Sequence, residues 1–290
     1  MAGVNQVVEA RDLAPSVRML RVSAPKVAAR RRAGQFVIVR ATADGERIPL
    51  TIVDADAEAG WITLVVQSVG KTTGLLSRLD VGDTVADLVG PLGVPTEVDR
   101  LGTVVVVGGG VGTAVARPIA VAMAEAGNRV VAVIGGRTEA HVLFEDDLRT
   151  TCDEVLVCTD DGSRGHHGVV TEVLADVVAR EPVDLVVTAG PVPMMAAVAE
   201  TTRPSAVRTI ASLNPIMVDG TGMCGGCRVS VGGTTRFACV DGPEFDAHLV
   251  DFDILARRNS AYRDHEERRG HDLDPDCPVP AVPDHQGDDR

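Results

Sequence analysis

Four consecutive valines, Val104–Val107, run straight into three glycines, Gly108–Gly110, and then into Val111-Gly112-Thr113-Ala114. An apolar run without polar alternation is a strand buried on both faces, which belongs in a parallel sheet covered by helices. The residues that follow keep to that scheme. Gly112–Glu125 reads as a helix, Arg129–Ile134 as a strand, Ala140–Thr150 as a helix and Glu154–Cys158 as a strand. Val169–Arg180 and Val192–Thr202 are further helices; Val183–Thr188 and Val207–Ser212 are the strands after each. Strands alternating with helices predict a doubly wound α/β domain over residues 99–211. Gly108, Gly110 and Ala114 match G-x-G-x-x-x-A rather than the strict dinucleotide fingerprint. Glycines there let the backbone approach a pyrophosphate at a helix N-terminus, although a bare strand-to-helix turn asks for similar residues. The place of this turn, after the first strand of the alternating region, favours a nucleotide. The loops Gly135-Gly136-Arg137, Asp160-Asp161-Gly162-Ser163 and Ala189-Gly190-Pro191 fall at the same edge, the carboxyl ends of strands where such sheets hold ligands.

The first hundred residues have another texture. Gln6–Arg11, Val17–Ser23, Gln35–Arg40, Ile48–Asp54, Trp61–Gln67 and Thr84–Val89 are short runs rich in β-branched residues, separated by Gly, Pro and Asp. Many short strands predict a small antiparallel barrel over residues 1–98. One helix, Thr72–Leu79, interrupts it. Only two of the 28 basic residues Lys and Arg are lysines, and one of them, Lys71, stands in Val69-Gly70-Lys71-Thr72-Thr73 at that helix's start. Free amides, hydroxyls and a cation suit an anion; a simply capped helix uses the same threonines. Arg47-Ile48-Pro49-Leu50-Thr51 offers a second cation at the head of a strand, a place where a solvated arginine is also ordinary.

From Asn214 the chain is rich in Gly and Cys. Cys224-Gly225-Gly226-Cys227 precedes Cys239, and a hairpin turning at Gly232-Gly233 between Arg228–Val231 and Thr234–Ala238 folds Cys239 back onto the first pair. Three thiolates on tight backbone fit an iron–sulfur or a zinc site. A dithiol redox pair leaves Cys239 without a role. Asp219 stands five residues before Cys224, and spacing leaves it open between a fourth ligand and a turn residue. Cys152 and Cys158 read as buried, inert thiols, and Cys277 lies in a tail. A polar helix is expected from Asp251 to about Arg269, closing a cysteine domain over 212–269. Residues 270–290, with four Pro and six Asp, read as disordered.

The net charge of −13 argues against a protein that grips a phosphate backbone over a broad face. Much of that charge sits at the end: residues 241–290 hold 14 acidic and 6 basic groups. With 2% aromatic residues, stacking on bases is disfavoured too, and any ring ligand must be held largely by backbone and aliphatic side chains. No apolar run reaches about 18 residues and no signal peptide pattern opens the chain, so neither membrane nor export is expected. A reducing, cytoplasmic setting favours metal ligation over disulfides for clustered cysteines.

Specific stretches tie these textures to a family. They are GQFVIV (34–39), RIPLTI (47–52), GKTTGLLSRL (70–79), DLVGPLG (87–93), GGGVGTA (108–114), GPVPMM (190–195) and SLNPIMVDGTGMCGGCRVSVGG…FACVDGPEFDAHLVDFD (212–253). Over roughly residues 5–265 the chain resembles the ferredoxin-reductase-like FAD/NAD-binding subunits that carry a [2Fe-2S] cluster. Two branches matter: the electron transfer subunit of dihydroorotate dehydrogenase, and the small subunit of NADH-dependent reduced ferredoxin:NADP⁺ oxidoreductase, also described as sulfide dehydrogenase. The second has an aspartate where the first has a cysteine, and Asp219 sits there. The resemblance implies Asp219, Cys224, Cys227 and Cys239 as cluster ligands. It implies FAD contacts at Arg47, Pro49, Leu50 and Thr51, and FAD phosphates at Gly70, Lys71, Thr72 and Thr73. It implies a pyridine nucleotide over Gly110, Val111, Gly112, Thr113, Asp161, Gly190 and Pro191. No acid–base residue is implied, since hydride transfer to flavin needs stacking geometry first. A larger flavin and [4Fe-4S] partner subunit, akin to a glutamate synthase small subunit, is implied, with ferredoxin as a further electron partner. Delivery to a dihydroorotate dehydrogenase or a glutamate-synthase-like partner is the competing function, and a structural zinc module is the non-redox alternative.

Overall fold

The computed structural model describes residues 3–261; the expected end of the last helix, the acidic tail and Cys277 lie outside them. The N-terminal strands are β1 (Val7–Ala14), β2 (Val17–Ser23), β3 (Phe36–Arg40), β4 (Arg47–Thr51), β5 (Asp54–Asp56), β6 (Trp61–Gln67) and β7 (Asp87–Leu92). Two short helices, α1 (Pro25–Ala28) and α2 (Lys71–Leu76), lie among them. The strands form two antiparallel sheets, ordered β1-β2-β6-β5 and β4-β3-β7, around one shared core that includes Leu20, Val37, Ile52, Leu64 and Leu76. The single strand expected over Ile48–Asp54 is in fact two, because the chain changes sheets there. Ile52 N still bonds Gln35 O at 3.1 Å, while Val53 N already bonds Thr63 O at 2.9 Å. Pro49, which has no N–H to give, is accommodated because β4 is an edge strand.

The expected parallel sheet follows. Its strands are β8 (Thr103–Gly109), β9 (Arg129–Gly136), β10 (Glu154–Thr159), β11 (His166–His167), β12 (Leu185–Ala189) and β13 (Thr209–Ser212). Helices α3 (Gly112–Glu125), α4 (Glu145–Thr151), α5 (Val170–Arg180) and α6 (Val192–Thr202) cover it. Val104 and Val106 pack into one apolar layer and Val105 and Val107 into the other, as a strand buried on both faces requires. The cysteine segment contributes the hairpin β14 (Arg228–Val231) and β15 (Thr234–Phe237), the short β16 (Glu244–Asp246) and α7 (Phe252–Asn259). β16 pairs antiparallel with β13, so the sheet order is β11-β10-β9-β8-β12-β13-β16. Among the described residues, no helix is long and apolar enough to cross a membrane.

Two contacts fix these parts against one another. Val17, Met19, Val53 and Val65 of the barrel pack with Ala114 and Leu143 of the α/β region. At the edge of that apolar seam, Arg117 of α3 pairs with Asp147 at 3.1 Å and Asp54 at 3.8 Å, and donates to Val53 O at 3.4 Å. The second contact joins barrel and cysteine segment: Thr96 Oγ1 donates to Glu244 Oε1 at 2.6 Å. Burial pushes the Glu244 carboxyl from the ordinary 4.5 up to about 7. Between those values the unfolded chain is ionised there and the folded one protonated, so stability falls as pH rises from about 4.5 to about 7. At 1.36 kcal/mol per unit the full effect is on the order of 3 kcal/mol. Glu244→Gln, neutral at every pH, is expected to flatten that slope and melt higher than the parent at pH 8. Melting curves from pH 5 to pH 8 that stay parallel for the two proteins would refute the assignment.

Candidate functional site

The barrel and the α/β region enclose a cavity of about 690 Å³. One wall is Pro49, Leu50 and Thr51 of β4 with Val53, Val65 and Gln67. The other is built from the glycine turn, Gly109–Gly112, with Ala114 and Val115 of α3. Strand ends complete it: Gly135, Gly136 and Arg137 after β9, Asp160 after β10, and Gly190 and Pro191 after β12. Among the described residues no Phe, Trp or Tyr lines this cavity, in keeping with a chain so poor in them.

The turn owes its shape to two glycines. Gly110 adopts φ +54° with its N–H on Gly135 O at 2.8 Å, a left-handed backbone that favours glycine. Gly112 opens α3 so close to β12 that a Cβ would stand 2.6 Å from Gly190 Cα and collide with Ala189 O. Two helix N-termini, those of α3 and α6, therefore meet at one cavity edge, where their free amides favour an anion. Arg137 adds an exposed guanidinium beside them.

Pro49, Leu50, Thr51, Gly110, Val111, Gly112, Gly190 and Pro191 thus share one cavity. Others sit elsewhere. Thr113 is fully buried, its Oγ1 has no partner among the described residues, and it does not line the cavity, so only its backbone stands near the turn. Asp161 is also off the wall: its carboxylate accepts from Ser163 N at 3.0 Å and Ser163 Oγ at 2.6 Å, which holds it below its ordinary value. Asp160, its neighbour, lines the cavity instead. Arg47 is half-exposed on the barrel, 3.8 Å from Asp87. At α2, Thr73 Oγ1 accepts from Val69 N at 3.0 Å and Gly70 N at 2.9 Å, Thr72 is buried, and Lys71 projects to solvent. Sequence reasoning missed Val65, Gln67, Ser212 and Asn214 on the wall. Ser212 ends β13, and the rule that ligands gather at carboxyl ends of parallel strands would have found it.

The second site is the cysteine hairpin. Residues 228–231 pair with 234–237, and Ala238 N bonds Cys227 O at 3.1 Å. That register brings Cys227 Sγ to 3.2 Å from Cys239 Sγ, both thiols buried. Cys224 is exposed, with its Sγ 3.5 Å from Gly226 N. The Asp219 carboxylate accepts from Thr221 N at 2.7 Å and Cys224 N at 2.8 Å, and these backbone bonds hold it below its ordinary value. Burial and the Cys227 neighbour push Cys239 up to about 12, so the Cys239 thiol stays protonated until a cation compensates the buried charge. Among the described residues, no three His, Cys, Asp or Glu side chains gather around one point as a single-ion site. The donors fall instead into a close thiol pair and a second pair in which Asp219 is tied to Cys224 through its backbone. A two-metal cluster, which spreads its ligands over two ions, fits that donor set. Cys152 and Cys158 lie apart from it, each pushed up to about 11 by burial, as inert thiols should be.

Two family models match the chain: the oxidoreductase FAD-binding domain over residues 5–95, and the iron-sulfur cluster binding domain of dihydroorotate dehydrogenase B over residues 214–251. The dihydroorotate dehydrogenase B (NAD(+)) electron transfer subunit homolog of Thermotoga maritima is 46% identical over 264 residues, 91% of this chain and 93% of that one. The corresponding Bacillus caldolyticus subunit is 36% identical over 256 residues, 84% of this chain and 96% of that one. Among solved structures, a chain of the NADH-dependent reduced ferredoxin-NADP oxidoreductase, studied for flavin-based electron bifurcation, superposes with TM-score 0.89 at 44% identity. It covers 94% of this chain and 98% of that chain. The ferredoxin NADP+ reductase of Neisseria gonorrhoeae, with FAD and NADP bound, shares the fold at TM-score 0.55 and 15% identity, covering 69% of this chain and 90% of that one.

Proposed function

The chain belongs to the family of dihydroorotate dehydrogenase B electron transfer subunits and their homologues, and we propose that it works as the small subunit of a bifurcating ferredoxin:NADP⁺ oxidoreductase or sulfide dehydrogenase. It is a flavin and iron–sulfur oxidoreductase subunit with pyridine nucleotide as its donor or acceptor. The observation that carries the finer reading is Asp219, a carboxylate held ionised against Cys224 where the dihydroorotate branch has a fourth cysteine. When bound, FAD would supply the exchange of a hydride for single electrons, and a [2Fe-2S] cluster would supply one-electron transfer, chemistry that the side chains lack. Asp219, Cys224, Cys227 and Cys239 hold the cluster. Arg47 and Lys71 neutralise the FAD diphosphate, with the amides of Gly70, Thr72 and Thr73. Pro49, Leu50 and Thr51 face the flavin ring. Gly110–Thr113, Gly190 and Pro191 bring backbone against the nucleotide, and the loop of Asp161 closes its far side. The units are residues 1–98 for FAD, 99–211 for nucleotide and 212–269 for the cluster. Among the described residues the chain has no second flavin fold, so a larger partner bearing flavin and [4Fe-4S] clusters completes the reaction in the cytoplasm, with ferredoxin as a further partner.

A visible spectrum of the chain purified without air tests the cofactors. Flavin bands with a [2Fe-2S] signature, iron and acid-labile sulfide are expected; a colourless or zinc-loaded protein would sink the reading. Asp219→Cys is expected to keep the cluster but change its paramagnetic resonance and lower its potential, since thiolate donates more strongly than carboxylate. An unchanged spectrum in that variant would remove Asp219 from the ligand set. The names of the sequence relatives favour a second reading, electron delivery to a dihydroorotate dehydrogenase. The partner that co-purifies decides between them.

A further inference from the structure

The last turn of α7 reaches back onto the cysteine loop. Arg258 Nη2 donates to Gly226 O at 3.1 Å, and Asn259 Nδ2 donates to Asn214 O at 3.1 Å. Gly226 lies between Cys224 and Cys227, and its own N–H is the one 3.5 Å from Cys224 Sγ. The guanidinium therefore bonds the peptide that joins Gly226 to Cys227, inside the loop between two of the cysteines. Arg258 is half-buried, and its Nε is buried without a partner among the described residues. Every other half-buried arginine of the described residues is ion-paired: Arg18 with Asp12, Arg21 with Glu9, Arg31 with Asp54, Arg40 with Asp87 and Arg117 with Asp147. Among the described residues Arg258 forms no ion pair, and its one hydrogen bond is to a neutral carbonyl. A cation removed from water without a counter-charge is costly, so the fold holds it against something anionic.

We propose that Arg258 is the counter-charge of the metal cluster and sets its reduction potential, an inference that rests on the cluster reading of the cysteine site. Two ferric ions, two sulfides and four singly charged donors leave a net negative charge, which grows by one when an electron is taken up. A fixed guanidinium favours the more negative state, and burial spares it the screening that an exposed cation suffers. Arg228, which follows Cys227 and is exposed, provides the comparison.

The test is a redox titration of the full chain, with FAD and cluster in place, followed by paramagnetic resonance of the reduced cluster. Arg258→Met is expected to make cluster reduction about ten-fold less favourable, which is about 59 mV for one electron. Arg258→Lys keeps the charge and is expected to lose less than half of that. Arg228→Met is expected to shift the potential far less than Arg258→Met. The proposal is overturned by an Arg258→Met potential at or above the parent's, by Arg258→Lys falling as far as Arg258→Met, or by an equal shift in Arg228→Met. Should Arg258→Met not retain its cluster, Arg258→Gln, whose amide can still reach the Gly226 carbonyl, carries the same comparison. A parent protein without iron would instead overturn the reading of the site itself.

Discussion

Cys239→Ala is expected to leave anaerobic purification with essentially no iron or acid-labile sulfide and with its FAD intact. Cys239 is buried 3.2 Å from Cys227, so its loss removes half of the close thiol pair, and no other Cys, His or carboxylate completes a group there among the described residues. Alanine removes one sulfur atom from a small side chain in an apolar cluster with Phe36, Ala238 and Phe245, a modest cost that the fold can carry. The cavity wall at Pro49–Thr51, proposed above to face the flavin, belongs to a different core, which is why FAD content should not follow. Reduction of the flavin by NAD(P)H should persist while onward transfer to the partner stops. Cys158→Ala is the matched control: an equally buried thiol, on the cavity wall, that should keep full iron. Iron and sulfide per flavin are the quantities to measure. Full iron in Cys239→Ala, or lost iron in Cys158→Ala, would break the assignment.

What the sequence made legible follows periodicity and turn chemistry. Val104–Val107 needed no tertiary information, because an unalternating apolar run has few folds open to it. Gly232-Gly233 likewise announced the hairpin that brings Cys239 to Cys227. Failures occurred where the deciding interaction is remote or the element is too short to carry a period. β11 has two residues and β16 three, and both exist because a neighbouring strand offers an open edge. The sheet switch after Thr51 depends on Gln35 and Thr63, partners far along the chain. Thr113 and Asp161 show a finer limit. A motif names a stretch, but a helix start and a strand end each rotate by residue, so Thr113 faces the core and Asp160 rather than Asp161 meets the cavity. Arg117 and Arg258 were invisible for a related reason: one arginine among many gains meaning only from the carboxylates it meets, or fails to meet.

Gly112→Ala is expected to weaken pyridine nucleotide binding by at least about ten-fold and to destabilise the fold by roughly 1–3 kcal/mol, as over-packed sites do. Two effects oppose each other at this position. Alanine is a better helix former than glycine by about 1 kcal/mol, which would favour the variant. Against that stands the new Cβ, 2.6 Å from Gly190 Cα and in collision with Ala189 O, both backbone atoms that cannot swing aside as a side chain would. Relief requires α3 and β12 to part, and these two elements lead into the facing halves of the proposed anion-binding edge, Gly110–Gly112 and Gly190-Pro191. A displacement of about 1 Å at a positioned ligand can cost on the order of 10²-fold. Gly110→Ala separates this clash from backbone strain. Gly110 has φ +54° but nothing within 4 Å of its would-be Cβ, so alanine there meets only the left-handed penalty, about 1–2 kcal/mol. Titration of nucleotide binding and thermal unfolding on both variants decide the matter. If contact governs, Gly112→Ala loses the nucleotide while Gly110→Ala retains most of it. If the two fall alike, left-handed backbone at the turn is the controlling feature, and the close approach of α3 to β12 is incidental.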